Sequence, residues 1–267
     1  MEQTKSTVLI TGAAAGIGNA VARQFLQNGH TVYALDVVMP DLGEGLQADI
    51  TDEKALTEIK ERLCAQGVVL DAIFHFAGVH TMGSFIETDY QKIKRLMEID
   101  LLGAMLVNKT FYPLLKGSGR IYITTSEVAP LDPLPFNGIY SVAKTALDAY
   151  AQALRQELNL LGQKVITFRP GAVETALSKG SAASTAKLCE ETKLYKKQSA
   201  HFCELVEKFT GKPMQAEKFA RFVYKVAKKK RPKCIYAKHR HLGLTLLGVL
   251  PKGMQCAIVK FLVNKSR

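Results

Sequence analysis

A tyrosine and a lysine four residues apart, Tyr140 and Lys144, are the side chains of this sequence best suited to proton transfer. On a helix, positions i and i+4 share one face, so the ammonium lies one turn from the phenol. A phenol with its ordinary pKa of about 10 is a poor acid or base near neutrality, and a neighbouring cation lowers that pKa. The pair indicates a general base for oxidation and a general acid for reduction, although this spacing alone is common by chance.

A glycine-rich turn, TGAAAGIG from Thr11 to Gly18, follows the first apolar stretch and opens the first helical one. Glycines permit a tight turn after a strand, close approach of the backbone to a pyrophosphate, and close packing of helix on strand. The N-terminus of the helix would then offer unpaired N–H groups and a positive dipole end to phosphates. At a strand–helix junction, the turn indicates a dinucleotide-binding site.

An acidic residue, Asp36, ends the second predicted strand. It follows Gly18 at close to the spacing of about 20 residues expected for the acid that hydrogen-bonds the adenosine ribose. A carboxylate there repels a 2′-phosphate, and no Lys or Arg occurs in the turn or directly after Asp36 to bind one. The sequence therefore favours NAD over NADP, the alternative being that Asp36 is a solvated loop residue.

The elements that would position these residues alternate along the chain. Short apolar runs predict strands at Thr7–Thr11, Thr31–Leu35, Ala72–Phe76, Arg120–Thr125 and Val165–Phe168. Amphipathic stretches predict helices at Gly16–Asn28, Asp52–Gln66, Asp89–Leu115, Gly138–Leu161 and Gln215–Lys229. Strand and helix in alternation predict a single-domain α/β fold, a Rossmann-type doubly wound parallel sheet with helices on both faces.

Together these motifs resemble the short-chain dehydrogenase/reductase family, from Thr7 to about Thr175. The resemblance implies transfer of a hydride between NAD(H) and a secondary alcohol/ketone pair, with Tyr140 moving the proton. It implies that Lys144 also binds the nicotinamide ribose, so that this lysine would orient the cofactor as well as tune the tyrosine. No metal is required by this chemistry.

The same resemblance assigns the cofactor contacts. Asp49 with Ile50 matches the pair that contacts adenine, and Pro170-Gly171 with Thr175 matches the stretch that holds the nicotinamide carboxamide. The implied cofactor-binding set is Gly12, Ala15, Gly16, Ile17, Gly18, Asp36, Asp49, Ile50, Ala77, Gly78, Tyr140, Lys144, Pro170, Gly171, Val173 and Thr175.

A serine that precedes the tyrosine by about 13 residues is implied by the resemblance to bind the substrate oxygen. Ser126 lies 14 residues before Tyr140, and one extra residue in the Pro130–Pro135 loop would account for the difference. Ser126 is the preferred assignment and Thr125 the second choice. The alternative for Ser126 is a strand-end hydroxyl that satisfies local backbone groups.

Two positions depart from the family pattern. The expected asparagines before Ala77-Gly78 are replaced by His75-Phe76, and His75 is interpreted as a packing or hydrogen-bonded residue. The helix asparagine that completes the catalytic tetrad is Asp100 here. An aspartate can hold the same water, but its charge would pair with Lys144 and weaken the action of Lys144 on Tyr140, so we expect retained activity with an altered pH profile.

Composition and cysteine spacing limit the compartment and the chemistry. The five cysteines are widely spaced, with no CxxC pair and no Cys/His cluster at zinc spacing. They are interpreted as mostly structural, reduced thiols of a cytosolic protein without a metal site. The polar N-terminus lacks the apolar region of a secretory signal, and the C-terminal apolar run is too short to span a bilayer. We therefore expect a cytoplasmic protein.

The chain divides at residues 175 and 214 by composition. Residues 1–175 form the predicted cofactor-binding and catalytic core, residues 176–214 a predicted substrate lid, and residues 215–267 a basic C-terminal extension of the same domain. The net charge is +12, and residues 218–267 contain 14 Lys or Arg and no Asp or Glu. The lid segment is equally well interpreted as a pair of structural surface helices.

The basic extension has three interpretations. It is a solvated face whose apolar stretches pack on the body, a peripheral contact with an anionic membrane, or a nucleic-acid contact. The last is disfavoured because no recognition helix or aromatic platform is evident. In the membrane interpretation, the side chains that enter the interface are Leu242, Leu244, Leu246, Leu247, Ile258, Val259, Phe261 and Leu262.

The expected function is an NAD-dependent alcohol dehydrogenase or ketoreductase. A membrane-facing extension would suit a lipophilic substrate of steroid, retinoid or fatty type. The alternative is a catalytically weak NAD(H)-binding sensor or scaffold, or a lipid-surface binding protein that retains the fold. The family resemblance implies a homodimer or homotetramer, paired through Asp89–Leu115 and Gly138–Leu161.

Overall fold

The computed structural model describes residues 5–209, 212–238 and 242–264. Its strands are β1 (Thr7–Thr11), β2 (Thr31–Asp36), β3 (Glu44–Gln47), β4 (Leu70–His75), β5 (Leu115–Thr124), β6 (Lys164–Pro170), β7 (Val173–Glu174), β8 (Met214–Gln215) and β9 (Ile235–Lys238). Seven of these strands form one parallel sheet in the order β3-β2-β1-β4-β5-β6-β9, and β7 pairs with β8 in a small parallel ladder. The predicted α/β fold is confirmed.

Helices cover both faces of the sheet. They are α1 (Gly16–Gln27), α2 (Glu53–Ala65), α3 (Tyr90–Met97), α4 (Ala104–Phe111), α5 (Gly138–Leu160), α6 (Ala176–Glu191), α7 (Lys196–Phe209), α8 (Ala216–Ala227), α9 (Leu242–Gly248) and α10 (Lys252–Asn264). One apolar core forms around Phe25 of α1 and Phe219 of α8. A second forms on the other face around Leu56 of α2, Phe111 of α4 and Leu147 of α5. Burial on both faces explains why the central strands are apolar without alternation.

The predicted helix Asp89–Leu115 is interrupted in the structure. A π-helical segment, Glu98–Gly103, separates α3 from α4, and a 3-10 turn, Tyr112–Leu114, precedes β5. The π-helical segment buries Asp100. Insertions of this kind are frequent at functional sites, because the extra residue redirects side chains that a regular helix would aim elsewhere. Residue periodicity cannot show such a bulge, since the flanking helices keep their apolar spacing.

Two strands of the seven-stranded sheet were not predicted from the sequence. β3 and β9 are four residues long and lie at the two edges. Their sequences, EGLQ and IYAK, are too short to form a distinct apolar run, as is common for edge strands. Both pair in parallel with their neighbours, so the sheet extends one strand further on each side than the apolar runs indicate.

The segment predicted as a lid folds as α6 and α7, which pack on each other, and α7 also packs on α10. A small apolar cluster joins Phe202 of α7 to Phe136 in the loop before α5 and to Val263 of α10. The C-terminal extension therefore packs on the predicted lid. The basic residues His239, Arg240, His241, Lys265 and Arg267 fall outside the described residues.

Candidate active site

The predicted site residues converge at the carboxyl edge of the sheet. In a parallel sheet the carboxyl ends of neighbouring strands meet, and the loops that follow them form a crevice. β1 ends at Thr11 before the glycine-rich turn, β4 ends at His75 before Ala77, and β5 ends at Thr124 before Ser126. The Thr11 hydroxyl accepts hydrogen bonds from the backbone N–H groups of Phe76 and Ala77 at 3.2 and 3.3 Å, which joins two of these loops.

A cavity of about 300 Å³ lies at this edge. The predicted cofactor residues that line it are Gly12, Ala15, Gly16, Ile17, Asp36, Asp49, Ile50, Ala77, Gly78 and Thr175. Lining residues that the sequence analysis missed are Val37, Ala48, Phe76, Val79, Arg95 and Ile99. The predicted cofactor residues outside the lining are Gly18, Tyr140, Lys144, Pro170, Gly171 and Val173. The structure thus brings ten of the predicted cofactor residues together around one cavity.

The backbone around this cavity fits a dinucleotide diphosphate. Gly12 has φ +69°, and a Cβ there would lie 2.6 Å from the backbone nitrogen of Ala77, so a larger residue is excluded. The N-cap of α1, Ala15, makes no side-chain hydrogen bond to the helix, and the first turn contains no acidic residue. The first N–H groups of α1 therefore have no side-chain cap, and they are the donors that phosphate oxygens use.

Asp36 is held beside the glycine-rich turn at the end of β2. One carboxylate oxygen accepts a hydrogen bond from the backbone N–H of Ala14 at 3.0 Å, and the other accepts from Val38 at 3.2 Å. The two bonds fix the carboxylate at the wall of the cavity. An anion in this position suits ribose hydroxyls and opposes a phosphate.

Arg95, on α3, reaches the same cavity but is already paired. It donates to Asp49 and to the Thr51 hydroxyl, the latter at 2.9 Å. Burial alone would raise the pKa of Asp49, but hydrogen bonds from Thr51 and from Arg95 outweigh it, so that pKa lies below its ordinary value. Arg95 had no motif to mark it in the sequence, because α3 brings it to the cavity from a position far along the chain.

The reacting centre is built on the first two turns of α5. Tyr140 and Lys144 lie on one helix face, with the Lys144 Nζ atom 5.6 Å from the centre of the Tyr140 ring. Lys144 Nζ lies 2.8 Å from a carboxylate oxygen of Asp100, and the two side chains are 7% and 0% exposed. The other Asp100 oxygen accepts from the backbone N–H of Val79 at 2.7 Å. A Cβ on Gly78 would lie 3.2 Å from Nζ, so glycine there leaves the ammonium its space.

The electrostatics of this centre follow from the buried ion pair. Burial raises the pKa of Tyr140; Lys144 and the Ser126 hydroxyl lower it, Asp100 and Glu127 raise it, and the result lies above the ordinary value. Burial alone would lower the pKa of Lys144, but Asp100 and Tyr140 outweigh it, so that pKa is raised. Asp100 therefore holds Lys144 charged and also opposes its effect on the phenol.

The structure favours Ser126 over Thr125 as the hydroxyl beside Tyr140. Ser126 is buried, and its hydroxyl lies close enough to the Tyr140 phenol to lower the pKa of that phenol. The Thr125 hydroxyl instead lies 3.2 Å from a carboxylate oxygen of Asp148 and 3.4 Å from the carbonyl oxygen of Phe168. Consecutive residues at a strand end point in opposite directions, so the backbone presents one of the two hydroxyls to the site.

Two histidines lie near the centre in different settings. His75 is fully buried at the end of β4 and hydrogen-bonds Asn108 at 2.8 Å, and burial lowers its pKa to about 4. His80 packs edge-on against the Tyr140 ring, with the ring centres 4.6 Å apart, and its Nε2 contacts Asn137 Oδ1 at 3.2 Å. Burial lowers the pKa of His80 too. His80 was not predicted as a site residue, although its position just after Ala77-Gly78 indicates that it lies near the site.

A larger cavity, of about 870 Å³, begins beside this centre. His80, Asn137 and Ser141 line its end nearest the phenol. Its apolar walls come from α7, α9, α10 and the loop after β5, and their residues include Val128, Leu131, Phe202, Leu205, Val206, Leu244, Leu247, Ile258 and Val263. The cavity therefore offers an apolar enclosure for a substrate whose reacting group reaches Tyr140.

Known proteins are similar to this chain in sequence. The family model described as "short chain dehydrogenase" matches residues 6–186. A 1-hydroxy-2-glutathionyl-2-methyl-3-butene dehydrogenase of Rhodococcus sp. (strain AD45) is 32% identical over 182 residues, which are 65% of this chain and 80% of the relative. An NADPH-dependent 1-acyldihydroxyacetone phosphate reductase of Schizosaccharomyces pombe is 31% identical over 205 residues, 72% of this chain and 69% of the relative.

The fold agrees with solved structures as well. A short-chain dehydrogenase from Streptomyces avermitilis superposes with a TM-score of 0.75 at 18% identity, covering 97% of each chain. The family model spans most of the chain, and the order of the seven strands in the parallel sheet is that of short-chain dehydrogenase structures. This chain therefore belongs to the short-chain dehydrogenase/reductase family and is an NAD(P)-dependent oxidoreductase.

Proposed function

We propose that the protein interconverts an apolar secondary alcohol and its ketone with NAD(H) as cofactor. The observation that carries the proposal is the position of Tyr140 between the cavity at the glycine-rich turn and the apolar cavity, with the Ser126 hydroxyl beside its phenol and Lys144 Nζ 5.6 Å from its ring centre. The retained tyrosine, lysine and serine disfavour a binding protein without turnover.

The chain's own residues supply proton transfer and positioning. A bound nicotinamide accepts or donates the hydride. Tyr140 removes the proton of the alcohol during oxidation and returns it during reduction, and Ser126 donates a hydrogen bond to the reacting oxygen. Lys144 stabilises the phenolate form of Tyr140 and would also bind a ribose hydroxyl of the cofactor. Asp100 keeps Lys144 charged in a site that burial would otherwise make unfavourable for an ammonium.

The preference for NAD over NADP rests on Asp36. Its carboxylate is fixed at the cavity wall, and the basic residue that lines the cavity, Arg95, is engaged by Asp49 and Thr51. A 2′-phosphate would therefore meet a fixed negative charge and a cation that is already paired. The NADPH-dependent relative makes this preference worth a direct test.

Replacing Asp36 with alanine is expected to weaken NADH binding about tenfold, the loss of roughly one hydrogen-bonded contact to a charged group. NADPH binding should change less, because the repulsion of its phosphate disappears together with the acceptor. The chain contains no tryptophan, so the fluorescence of the reduced cofactor itself gives the titration signal.

Asp41→Ala is the matched control, since Asp41 is an exposed acid five residues further on, paired at 3.5 Å with the exposed Arg23. Its NADH affinity should equal that of the wild type. A wild-type protein that binds NADPH more tightly than NADH would contradict the assignment of Asp36.

The apolar substrate class follows from the large cavity. Its lining is dominated by aliphatic and aromatic side chains of α7, α9 and α10, and only a few polar groups lie at the end near Tyr140. Such cavities bind the body of a ligand by apolar contact and orient it with a few polar groups. The named substrate of the Schizosaccharomyces relative also carries an acyl group next to a ketone, which agrees with this proposal.

Affinity should therefore rise with the apolar length of the substrate. In a series of secondary alcohols, each added methylene is expected to lower KM about fourfold until the cavity is filled, from about 0.8 kcal/mol per buried CH₂. Ile258→Asn should remove most of this gain, because Ile258 lines the cavity. Ala257→Asn, at the exposed neighbouring position, is the control. A KM that is independent of chain length would contradict the apolar substrate.

The basic extension divides into two parts that lie apart. The Arg120 guanidinium, where β5 begins to pair with β6, donates to the carbonyl oxygens of Ala227 and Lys229 at 3.0 and 2.8 Å. The run 228–230 therefore lies near the amino ends of these strands, whereas the apolar cavity opens beyond their carboxyl ends. The basic run 228–230 and the apolar residues of α9 and α10 therefore do not share the one surface on which the membrane interpretation would combine them.

Contact with an anionic lipid surface stays a proposal, and the structure restricts it to the cavity rim. Leu246 and Val249 line the cavity and are nevertheless 69% and 76% exposed, so apolar side chains continue from the cavity wall to the surface. Among the described residues, every helix is too short or too polar to cross a bilayer. The side chain of Leu242 falls outside the described residues. Pairing into dimers or tetramers through α4 and α5 also remains a prediction.

A further inference from the structure

Two cysteines that are separated along the chain meet between the lid helices. Cys189 of α6 and Cys203 of α7 place their Sγ atoms 2.8 Å apart. Both are half-buried, whereas Cys64, Cys234 and Cys256 are exposed. A disulfide has an S–S length of about 2.05 Å, so the two sulfurs need to approach by less than about 1 Å to bond. The spacing of this pair matches no cysteine motif, so the contact could not be predicted from the sequence.

The pair lies directly behind the wall of the apolar cavity. Phe202, the neighbour of Cys203, lines the cavity together with Leu205 and Val206 of the same helix. On α6, Thr185 donates a hydrogen bond to the sulfur of Met82 at 3.2 Å, and Met82 also lines the cavity. Cys203 additionally donates to the carbonyl oxygen of Thr185 at 3.5 Å. A link between the two cysteines would therefore fix α6, which contacts the cavity-lining Met82, to the cavity-lining helix α7.

We propose that Cys189 and Cys203 form a reversible intramolecular disulfide that fixes α6 against α7 and so regulates the cavity. In a reducing compartment, disulfides of this kind are transient and respond to redox conditions. The co-reactant is a low-molecular-weight disulfide of the glutathione disulfide class. The proposal concerns two thiols and stands without the proposed substrate; its effect on turnover rests on the proposed function.

The exchange proceeds in two balanced steps. One cysteine thiolate attacks a sulfur of the small disulfide, whose S–S bond breaks and releases one small thiolate, leaving a mixed disulfide on the protein. The thiolate of the second cysteine then attacks the protein sulfur of that mixed disulfide and releases the second small thiolate. The two cysteines lose two protons and two electrons, and the small disulfide is reduced to two thiols.

Peptide mapping of the full chain tests the proposal. The protein is incubated with glutathione disulfide, the remaining thiols are alkylated, and the digest is analysed under non-reducing conditions. We expect the dominant product to be a peptide pair that joins Cys189 to Cys203 and has lost two hydrogen atoms, and we expect dithiothreitol to reverse it. The oxidised protein should also unfold at a Tm higher by about 5 °C, since the cross-link constrains the unfolded chain.

Single substitutions provide the controls. Cys189→Ser and Cys203→Ser should abolish the cross-link and leave the remaining cysteine of the pair as a glutathione mixed disulfide. Cys256→Ser, at an exposed position on α10, should keep the cross-link at the wild-type level. Glutathione attached to Cys64, Cys234 and Cys256 with no Cys189–Cys203 peptide, or cross-links distributed equally among all five cysteines, would overturn the proposal.

The effect on the site is measured separately. For an apolar alcohol that fills the cavity, KM of the oxidised protein should differ at least threefold from that of the reduced protein, while the double variant Cys189→Ser, Cys203→Ser should keep the same KM before and after the treatment. A cross-link that forms without any change in KM would overturn the regulatory part alone. A protein that forms the cross-link but oxidises no alcohol would contradict the proposed function and leave the disulfide in place, so the two failures are distinguishable.

Discussion

Replacing Tyr140 with phenylalanine is expected to lower kcat for alcohol oxidation about a thousandfold, within the range that a positioned general base contributes. The ring centre of Tyr140 lies 5.6 Å from Lys144 Nζ, and this cation lowers the pKa of the phenol and so favours its ionised form. Phenylalanine keeps the ring, and hence the packing against His80 at 4.6 Å, so the fold should be unaffected. Steady-state kinetics with a saturating apolar alcohol give the measurement.

Tyr150→Phe is the matched control. Tyr150 lies on the same helix and also loses a hydrogen bond, the one that it accepts from Asn108 at 3.0 Å. Its kcat should stay within about twofold of the wild type, because its phenol is remote from the cofactor cavity. In both variants NADH should bind with nearly unchanged affinity. A Tyr140→Phe protein that keeps more than a tenth of the wild-type kcat would show that another group transfers the proton.

Most residues that line the smaller cavity could be predicted from the sequence because the motifs that mark them are local. The turn from Gly12 to Gly18 needs glycine for reasons of backbone geometry, and Asp36 follows at the end of the next strand. Each residue is positioned by the element that directly precedes or follows it, so the order of apolar runs is enough to place it. Most of the predicted cofactor residues accordingly line the smaller cavity.

The features of the site that were not predicted depend on contacts between segments that are distant in the sequence. His80 reaches Tyr140, and Arg95 reaches Asp49, only when the sheet brings their loops together. Cys189 and Cys203 meet because α6 and α7 fold back on each other, which no cysteine spacing indicates. The apolar cavity has the same origin, since its walls come from helices that are far apart in the sequence.

Charge patterning along the chain was a poorer guide than strand order. The excess of Lys and Arg in 218–267 left a solvated face, a lipid-facing surface and a nucleic-acid contact as interpretations. In the structure, 228–230 lie near the amino ends of β5 and β6. Cation–π contacts further engage these lysines, with Lys228 Nζ 5.5 Å from the Tyr224 ring and Lys229 Nζ 5.3 Å from the Tyr236 ring. The solvated-face interpretation therefore suits this run best.

Changing Asp100 to asparagine should shift the pH dependence of alcohol oxidation and destabilise the fold. In the wild type the Asp100 carboxylate raises the pKa of Tyr140, which burial has already raised. Oxidation needs the phenolate, so activity rises as pH rises through that pKa. Without the carboxylate, Lys144 acts on the phenol unopposed, and the rising limb of kcat/KM should move to lower pH by about one unit, a tenfold gain on that limb.

The same substitution leaves a buried ammonium without its counter-ion, which is expected to cost about 3 kcal/mol of unfolding free energy near neutral pH. In the wild type, Asp100 raises the pKa of Lys144 above its ordinary value, so the stability that this lysine contributes is complete below about pH 10 and is lost as pH rises through the folded pKa. In the variant burial, the largest influence on that pKa, is opposed by Tyr140 and no longer by Asp100, so the pKa of Lys144 falls below its ordinary value. The unfolded chain then binds more protons, and the destabilisation should shrink as pH rises towards about 10.

Urea unfolding at several pH values and a pH–rate profile measure the two effects on one protein. Asp148→Asn is the control, because it also removes an acid from an ion pair with a base, Arg169, but lies outside the residues that shift the pKa of Tyr140. It should lose stability and keep the wild-type pH profile. An Asp100→Asn protein with an unchanged rising limb would show that Asp100 does not oppose Lys144 at the phenol, even if the protein is less stable. The shift of the limb, and not the loss of stability, is therefore the observation that assigns Asp100 to the reacting centre.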